Sequence, residues 1–286
     1  MTIAETLADA RRRLEAGGIE DAAIEAEVLL RHALGLSREE MLSGLRDGIS
    51  GEATCRFEAM LSRRLAHEPT AYIVGRREFF GIDFEVTRAT LIPRPETELL
   101  VEAAVALGKA RSRIRRGPVF ADIGTGCGAI AVALAMNVAR SDVHAVDVSP
   151  EALEVARRNA QRHGVADRVY FHRGHLLTPL PEYVDVVVAN LPYVTSGEWQ
   201  RLPPEIRDHE PRSALDGGPD GLDLVRELLR EAPRYLRPRG CVVIEFGAGQ
   251  AEAVREAARQ SFPGYRLETL PDLAGLDRAL IIAPQD

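Results

Sequence analysis

From residue 119 onward, short apolar runs alternate with longer amphipathic stretches, and this alternation restricts the fold more than any other feature of the sequence. Residues 119–123, 143–147, 169–172, 184–189 and 241–246 are rich in β-branched and small apolar residues and are predicted strands. Stretches with apolar residues at three- and four-residue spacing separate most of them and are predicted helices. Strands that alternate with helices form parallel sheets. The sequence therefore predicts a doubly wound α/β domain.

The two ends of the chain differ from this pattern. Residues 265–270 and 278–283 are predicted strands with no helix between them, which indicates a terminal hairpin and one antiparallel strand. Residues 1–70 show helical spacing throughout and predict a small helical bundle. Residues 71–92 contain two β-rich runs on either side of Gly81 and predict a β-hairpin linker, so that the α/β domain covers residues 93–286.

Composition narrows the class of protein. The net charge of -7 argues against a broadly basic nucleic-acid-binding surface, and the basic stretch at residues 111–116 is interpreted as a solvated linker. Three widely spaced cysteines without a CxxC pair indicate neither a disulfide framework nor a zinc site. The sequence shows no signal-peptide pattern and no long apolar run. We therefore expect a cytoplasmic protein without a metal or a membrane span.

A glycine-rich turn joins the first strand of the α/β domain to the next helix. Gly124, Gly126 and Gly128 alternate there with Thr125 and Cys127. Glycine lets the backbone approach a ligand and adopt positive φ. A dinucleotide fingerprint has the spacing GxGxxG, whereas here the third glycine comes one residue early. The spacing alone is weakly specific, but its position after the domain's first strand indicates a cofactor site.

Asp147 ends the second strand of this domain, roughly twenty residues after the glycine turn. A carboxylate there can accept hydrogen bonds from both hydroxyls of a ribose. The alternative is local capping of the helix that begins at Ser149. Together with the glycine turn, Asp147 indicates an adenosine-containing cofactor, and Asp122 is a candidate partner for its ammonium group.

The fourth strand stops at Asn190, Leu191, Pro192 and Tyr193, because proline cannot continue a central strand. The Asn190 side-chain oxygen and the Leu191 carbonyl could each accept one N–H of a planar amide or amino group. Tyr193 could pack flat on that group. Such a pair of acceptors favours charge developing on the nitrogen, which suits methyl transfer to it. The alternative interpretation is a strand followed by an ordinary turn.

The sequence resembles the HemK/PrmC family of protein-glutamine methyltransferases over nearly its whole length. The matching segments are residues 68–75, 79–81, 91–98, 122–129, 190–193 and 210–218. Residues 93–98, Pro-Arg-Pro-Glu-Thr-Glu, and residues 210–218 are more specific to the family than the glycine turn or the Asn190 motif.

The resemblance implies a class I S-adenosylmethionine-dependent methyltransferase fold. It implies that the glutamine of the Gly-Gly-Gln motif of class-1 peptide chain release factors is the substrate, docked with help from residues 1–70. We expect a monomer without a direct nucleic-acid partner. The substrate glutamine would be held by Asn190, Leu191, Pro192 and Tyr193. The cofactor would lie against Gly124, Thr125, Gly126, Cys127, Gly128, Asp147, His175 and Asn190.

Two positions depart from the family pattern. Leu191 replaces the first proline of the usual Asn-Pro-Pro-Tyr, but only a backbone carbonyl is needed there. His175 stands where related sequences carry an acid that accepts from the adenine amino group. A neutral histidine can accept through one nitrogen, whereas a protonated one cannot, and a surface histidine without contact to the adenine is the alternative.

Three other functions remain open at this point. An adenine-N6 nucleic-acid methyltransferase presents a similar amino nitrogen, but it needs a basic surface and base flipping. An NAD-binding oxidoreductase shares the strand–glycine–helix arrangement, although no hydride-transfer residues are evident. A binding protein that retains the cofactor fold without catalysis is the third.

Overall fold

The computed structural model describes residues 1–111 and 117–285, so residues 112–116 of the predicted basic linker lie outside the described chain. The helices and strands, in chain order, are α1 (Ile3–Ala16), α2 (Ala22–Leu34), α3 (Arg38–Ser43), α4 (Gly51–Leu65), α5 (Thr70–Val74), β1 (Arg76–Phe79), β2 (Ile82–Glu85), α6 (Glu98–Arg111), β3 (Val119–Ile123), α7 (Ala129–Asn137), β4 (Asp142–Asp147), α8 (Pro150–Arg162), β5 (Val169–Arg173), β6 (Val184–Ala189), α9 (Ser196–Trp199), α10 (Pro204–Arg207), α11 (Asp223–Glu231), β7 (Leu236–Glu245), α12 (Ala251–Ser261), β8 (Tyr265–Pro271) and β9 (Asp277–Pro284). Within the described residues, no helix is long and apolar enough to cross a membrane.

The chain forms two compact units. The first comprises residues 1–76 together with residues 203–209, and the second comprises the rest of the described chain. In the first unit, helices α1, α2 and α4 bury a common apolar core that includes Leu14, Leu29 and Phe57. Hydrogen bonds between Ser37 and Glu40 form a capping box at the start of α3. Local capping and apolar spacing thus account for most of this unit.

The sequence predicts that residues 72–74 open the hairpin, but the structure places them in helix α5, so this prediction is wrong. Ile73 is buried in the core of the helical unit, and Val74 packs against the same core. Pro69 precedes the helix, and Gly75, at a φ of 75°, ends it. Packing against the helical core therefore outweighs the β propensity of these residues. The hairpin itself is present as β1 and β2.

The second unit contains a seven-stranded sheet in the order β5-β4-β3-β6-β7-β9-β8. Strands β3 to β7 pair in parallel, and β9 pairs antiparallel with both β7 and β8. This arrangement confirms the predicted doubly wound sheet with one antiparallel strand at its end. The chain leaves β3 for β4 on one side and later returns to β6 on the other. In such sheets, ligands bind at the carboxyl ends of the strands where the order reverses.

Candidate functional site

The register of the parallel strands brings the predicted site residues to one edge of the sheet. Ile123 at the end of β3 pairs with Val146 on one side and with Ala189 on the other. The next residues along each strand are Gly124, Asp147 and Asn190, so the glycine turn begins between the acid and the amide. The sequence predicted each of these residues separately, and the parallel register places them in one row.

A cleft with about 760 Å³ of unfilled space, including its open mouth, lies along this row. The predicted site residues that line it are Gly124, Gly126, Asp147, His175, Asn190, Leu191 and Pro192. Those that are not part of its lining are Thr125, Cys127, Gly128 and Tyr193.

Asp147 and the glycine turn are held together by backbone hydrogen bonds. Gly126 N donates to Asp147 Oδ2 and Ser149 N donates to Asp147 Oδ1, both at 2.9 Å. A carboxylate has about four lone-pair positions, so each oxygen keeps one for a ligand hydroxyl. Gly124 and Gly126 adopt positive φ of 75° and 55° at the cleft wall. This donor and acceptor set fits a ribose beside a closely approaching backbone.

Asp122 lies beneath the glycine turn and is fully buried. Its Oδ2 accepts hydrogen bonds from Thr125 Oγ1 at 2.6 Å and from Ala131 N at 3.0 Å, whereas its Oδ1 has no partner among the described residues. Burial raises the pKa of this carboxyl to about 7, and the charge of Asp147 contributes to the increase. Ionising this carboxyl is therefore costly while no cation lies beside it.

The remaining residues of the turn have supporting positions. Asn159 is fully buried and donates to the Cys127 carbonyl at 2.8 Å, and its side chain also bonds both backbone groups of Glu85. Burial raises the pKa of the Cys127 thiol to about 12, so it stays protonated. A Cβ on Gly128 would approach Ala156 Cβ to 3.0 Å, so this glycine allows α7 and α8 to pack closely.

The side chain and the carbonyl group of Leu191 lie in different environments. Its side chain is buried in the core of the sheet unit, with Cδ2 close to the position that a Cβ on Gly124 would take. Its carbonyl accepts no hydrogen bond from the residues that the structure describes. The side chain therefore anchors the turn through burial, where the family's proline would restrict the backbone, and the carbonyl stays available to a ligand.

Tyr193 is not part of the cleft lining. Burial, together with the nearby charge of Glu245, raises the pKa of its phenol. Its backbone carbonyl accepts a hydrogen bond from Gln250 Nε2 at 2.9 Å. A Cβ on Gly217 would lie 2.4 Å from the Pro192 carbonyl oxygen, so the turn after residue 216 packs directly on this backbone. These contacts hold the segment rigid after the strand ends.

His175 lines the cleft and bonds to an acid from another element. Its Nε2 lies 2.9 Å from Glu227 Oε1 on α11. When His175 is neutral and Nε2 carries the proton, Nδ1 is left as an acceptor. The sequence did not predict Glu227, because it lies 52 residues away in the chain.

Two segments that complete the cleft wall were not assigned to the site from the sequence. Residues 89–91 and residues 211, 213 and 214 line it from outside the strand ends. Arg94 donates to Glu210 Oε1 at 2.5 Å, and Ile92 N donates to Glu210 Oε2 at 3.1 Å. Leu91 and the residues of the second segment lie within the stretches that carry the family resemblance, which was the available signal, whereas Ala89 and Thr90 lie outside those stretches.

Thr97 and Glu245 were also missed. Asn190 Nδ2 donates to Thr97 Oγ1 at 2.9 Å, and Thr97 Oγ1 donates to Glu245 Oε2 at 2.7 Å. Thr97 lies within residues 93–98, and Glu245 is a single acid at the end of the apolar strand β7, which is the only sequence signal. Within the described residues, no group of three histidine, cysteine or acidic side chains is placed to hold a metal.

Two segments of the chain match models of known protein families. Residues 5–75 match the family model of the PrmC N-terminal domain, and residues 114–274 match a methyltransferase domain. The chain is 44% identical to the release factor glutamine methyltransferase of Moorella thermoacetica, covering 98% of each chain. It is 43% identical to that of Cereibacter sphaeroides, covering 97% of each.

Solved structures agree on the fold. A methyltransferase from Pyrococcus furiosus, 21% identical, superposes with a TM-score of 0.52 over 80% of this chain and 100% of its own. That likeness supports the class I methyltransferase fold only. The identity to curated relatives over nearly the full length shows more: this chain belongs to the release factor glutamine methyltransferase family.

Proposed function

We propose that this protein uses S-adenosylmethionine to methylate the side-chain amide nitrogen of the glutamine in the Gly-Gly-Gln motif of class-1 peptide chain release factors. Methylation of a release factor glutamine follows from the family to which the chain belongs. The observation that carries the assignment to this site is the position of Asn190, which lines the cleft one strand away from the glycine turn.

Asn190 and Leu191 would hold the substrate amide. The Asn190 side-chain oxygen and the free Leu191 carbonyl would each accept one N–H of the glutamine. Two acceptors orient the nitrogen and stabilise positive charge as it develops. When bound, S-adenosylmethionine supplies the methyl group for this nitrogen. No side chain need act as a strong base, because the methylated nitrogen is acidic and can lose its proton to water.

The cofactor would be held by the residues around the glycine turn. Asp147 offers one free lone-pair position on each oxygen for the ribose hydroxyls, and Gly124 and Gly126 bring backbone to the cleft wall. His175 would accept from the adenine amino group through Nδ1 while Glu227 holds Nε2. Tyr193 would pack flat on the planar substrate amide, and residues 1–70 would dock the release factor. The enzyme would act as a monomer in the cytoplasm.

The test is methylation of a purified release factor with isotopically labelled S-adenosylmethionine, followed by mass mapping of the modified glutamine. Asn190→Ala is expected to lower turnover by about a hundredfold to a thousandfold, the loss seen when a key transition-state hydrogen-bonding group is removed. Its affinity for S-adenosylhomocysteine should stay within about threefold of the native value, because Asp147 and the glycine turn remain. Equal loss of binding and turnover would contradict the role given to Asn190.

Parallel reactions separate the alternatives. Methyl incorporation into DNA or RNA rather than the release factor would favour the nucleic-acid enzyme. Binding of NAD instead of S-adenosylhomocysteine would favour the oxidoreductase, and cofactor binding without turnover on any substrate would favour a binding protein.

A further inference from the structure

The Asn190 amide is held from behind the cleft by two buried residues. Its Nδ2 donates to Thr97 Oγ1 at 2.9 Å, and Thr97 Oγ1 donates to Glu245 Oε2 at 2.7 Å. Thr97 is 5% exposed and Glu245 is 1% exposed, and neither is part of the cleft lining. Neither residue can therefore touch a ligand in the cleft directly. Thr97 meets the site through Asn190, and Glu245 meets it through Thr97 and through its interaction with Tyr193.

The strand register explains why these groups meet. Ala189 at the end of β6 pairs with Ile244 of β7, so the next residues, Asn190 and Glu245, lie side by side at the sheet edge. Thr97 reaches the same point from the turn before α6. Because all three sit on or next to regular elements, their relative positions are set by the sheet.

The hydrogen bonds have a defined direction. An ionised carboxylate only accepts, so the single hydroxyl proton of Thr97 goes to Glu245. The hydroxyl then presents only lone pairs to Asn190, which must turn its NH₂ group towards Thr97. The side-chain oxygen of Asn190 is left for the cleft. Without the hydroxyl, either the oxygen or the NH₂ group of the Asn190 side chain could face the cleft.

We propose that Thr97 and Glu245 are positioning residues that set the orientation of the Asn190 amide, so that its oxygen faces the substrate nitrogen. This inference rests on the proposed function, since it assigns to Asn190 the role of acceptor. It assigns a role to Thr97, which lies within the family-specific residues 93–98, and to Glu245, the single acid at the end of β7.

Stability alone does not account for Glu245. Its Oε1 has no hydrogen-bond partner among the described residues. Burial raises the pKa of this carboxyl to about 7. A group whose pKa is raised on folding destabilises the folded chain when it is ionised. An apolar residue at position 245 would therefore destabilise the folded protein less than ionised Glu245 does.

The charge on Glu245 controls the direction of the chain of hydrogen bonds. Burial and the nearby Glu96 disfavour the ionised form, whereas Thr97, Tyr193 and Arg278 of β9 favour it. A protonated Glu245 can donate to Thr97, whose own proton is then free to point at the Asn190 oxygen. The amide orientation is therefore held above the pKa of Glu245 and is loosened below it.

The experiment observes Asn190 directly. The chain has only three asparagines, Asn137, Asn159 and Asn190. Selective ¹⁵N-asparagine labelling therefore gives three side-chain NH₂ pairs, and the pair that Asn190→Ala removes belongs to Asn190. In the native protein, this pair should move with a midpoint near pH 7, the pKa to which burial raises the Glu245 carboxyl, and Glu245→Gln should abolish that titration. The Asn159 pair, bonded to two backbone carbonyls, serves as the internal reference.

Matched substitutions at Thr97 separate orientation from packing. Thr97→Val keeps the shape without the hydroxyl, and Thr97→Ser keeps the hydroxyl without the methyl. Valine should shift the Asn190 pair and lower kcat by about tenfold to a hundredfold, with affinity for S-adenosylhomocysteine unchanged. Serine should preserve both the NH₂ signal and kcat to within about threefold. The pH dependence of kcat near 7 should be lost in Glu245→Gln.

Contrary outcomes are equally clear. An Asn190 signal that is the same in Thr97→Val as in the native protein, or equal losses with valine and serine, would overturn the proposal. If the native protein fails to methylate the release factor, the proposed function fails, but the NMR signals still decide whether Thr97 and Glu245 orient Asn190.

Discussion

The buried carboxyl of Asp122 should make the cofactor-free protein less stable as the pH rises, and Asp122→Asn should remove that loss. Burial raises the Asp122 pKa from 3.8 to about 7. Between these values the folded chain binds a proton that the unfolded chain has released. The free energy of unfolding therefore falls by about 1.4 kcal/mol per pH unit as the pH rises, and it levels off above about 7.

From pH 5 to pH 8 this effect amounts to about 3 kcal/mol. Asp122→Asn keeps an acceptor for Thr125 and Ala131 but places an NH₂ group where Oδ1 has no partner, which costs about 1–3 kcal/mol at every pH. The stability difference between Asp122→Asn and the native protein should thus grow in favour of the variant by about 3 kcal/mol over this range.

Urea unfolding of the cofactor-free proteins at pH 5, 6, 7 and 8 measures this difference. Glu245 titrates in both proteins and cancels in the comparison, and equal m-values would show that both unfold to the same extent. A stability difference that stays constant from pH 5 to pH 8 would refute the reasoning. The variant should also bind S-adenosylhomocysteine about tenfold more weakly, because the negative charge beneath the glycine turn is lost.

Three further predictions concern the cleft wall. His175→Ala should weaken S-adenosylhomocysteine binding by roughly three- to tenfold in calorimetry, and Glu227→Gln should weaken it less, because the histidine remains. Arg94→Ala leaves the Glu210 carboxylate, with its side chain 2% exposed, buried without its ion pair; urea unfolding should show a loss of about 3 kcal/mol or more, with a smaller loss for Arg94→Lys. Gly217→Ala would push a methyl group against the Pro192 carbonyl, so kcat should fall at least about tenfold while cofactor affinity stays the same; unchanged kcat would contradict the close packing.

Local chemistry made part of the site predictable. Glycines at positions of positive φ, an acid at the end of a strand and a proline that stops the next strand each act through their own backbone. Gly126, Asp147 and Pro192 could therefore be recognised without knowing their neighbours. The parallel sheet then brings such positions together, because all its carboxyl ends lie at one edge.

The helical unit shows where local patterns are insufficient. The capping box at Ser37 was predictable because both partners lie within four residues of each other. Ile73 and Val74 favour a strand by propensity, yet the core of the helical unit draws them into α5. Only the tertiary contacts decide between the two states.

The sequence by itself determined the order of strands and helices, the glycine turn and the Asn190 motif, since these depend on the periodicity and backbone chemistry of short segments. The tertiary structure alone joined Thr97 to Glu245 across 148 positions and Asn190 to Thr97 across 93. No residue pattern encodes such pairs, because each partner is an ordinary buried polar residue until the sheet register brings it within hydrogen-bond distance. The amide that the sequence identifies is thus oriented by residues that only the fold reveals.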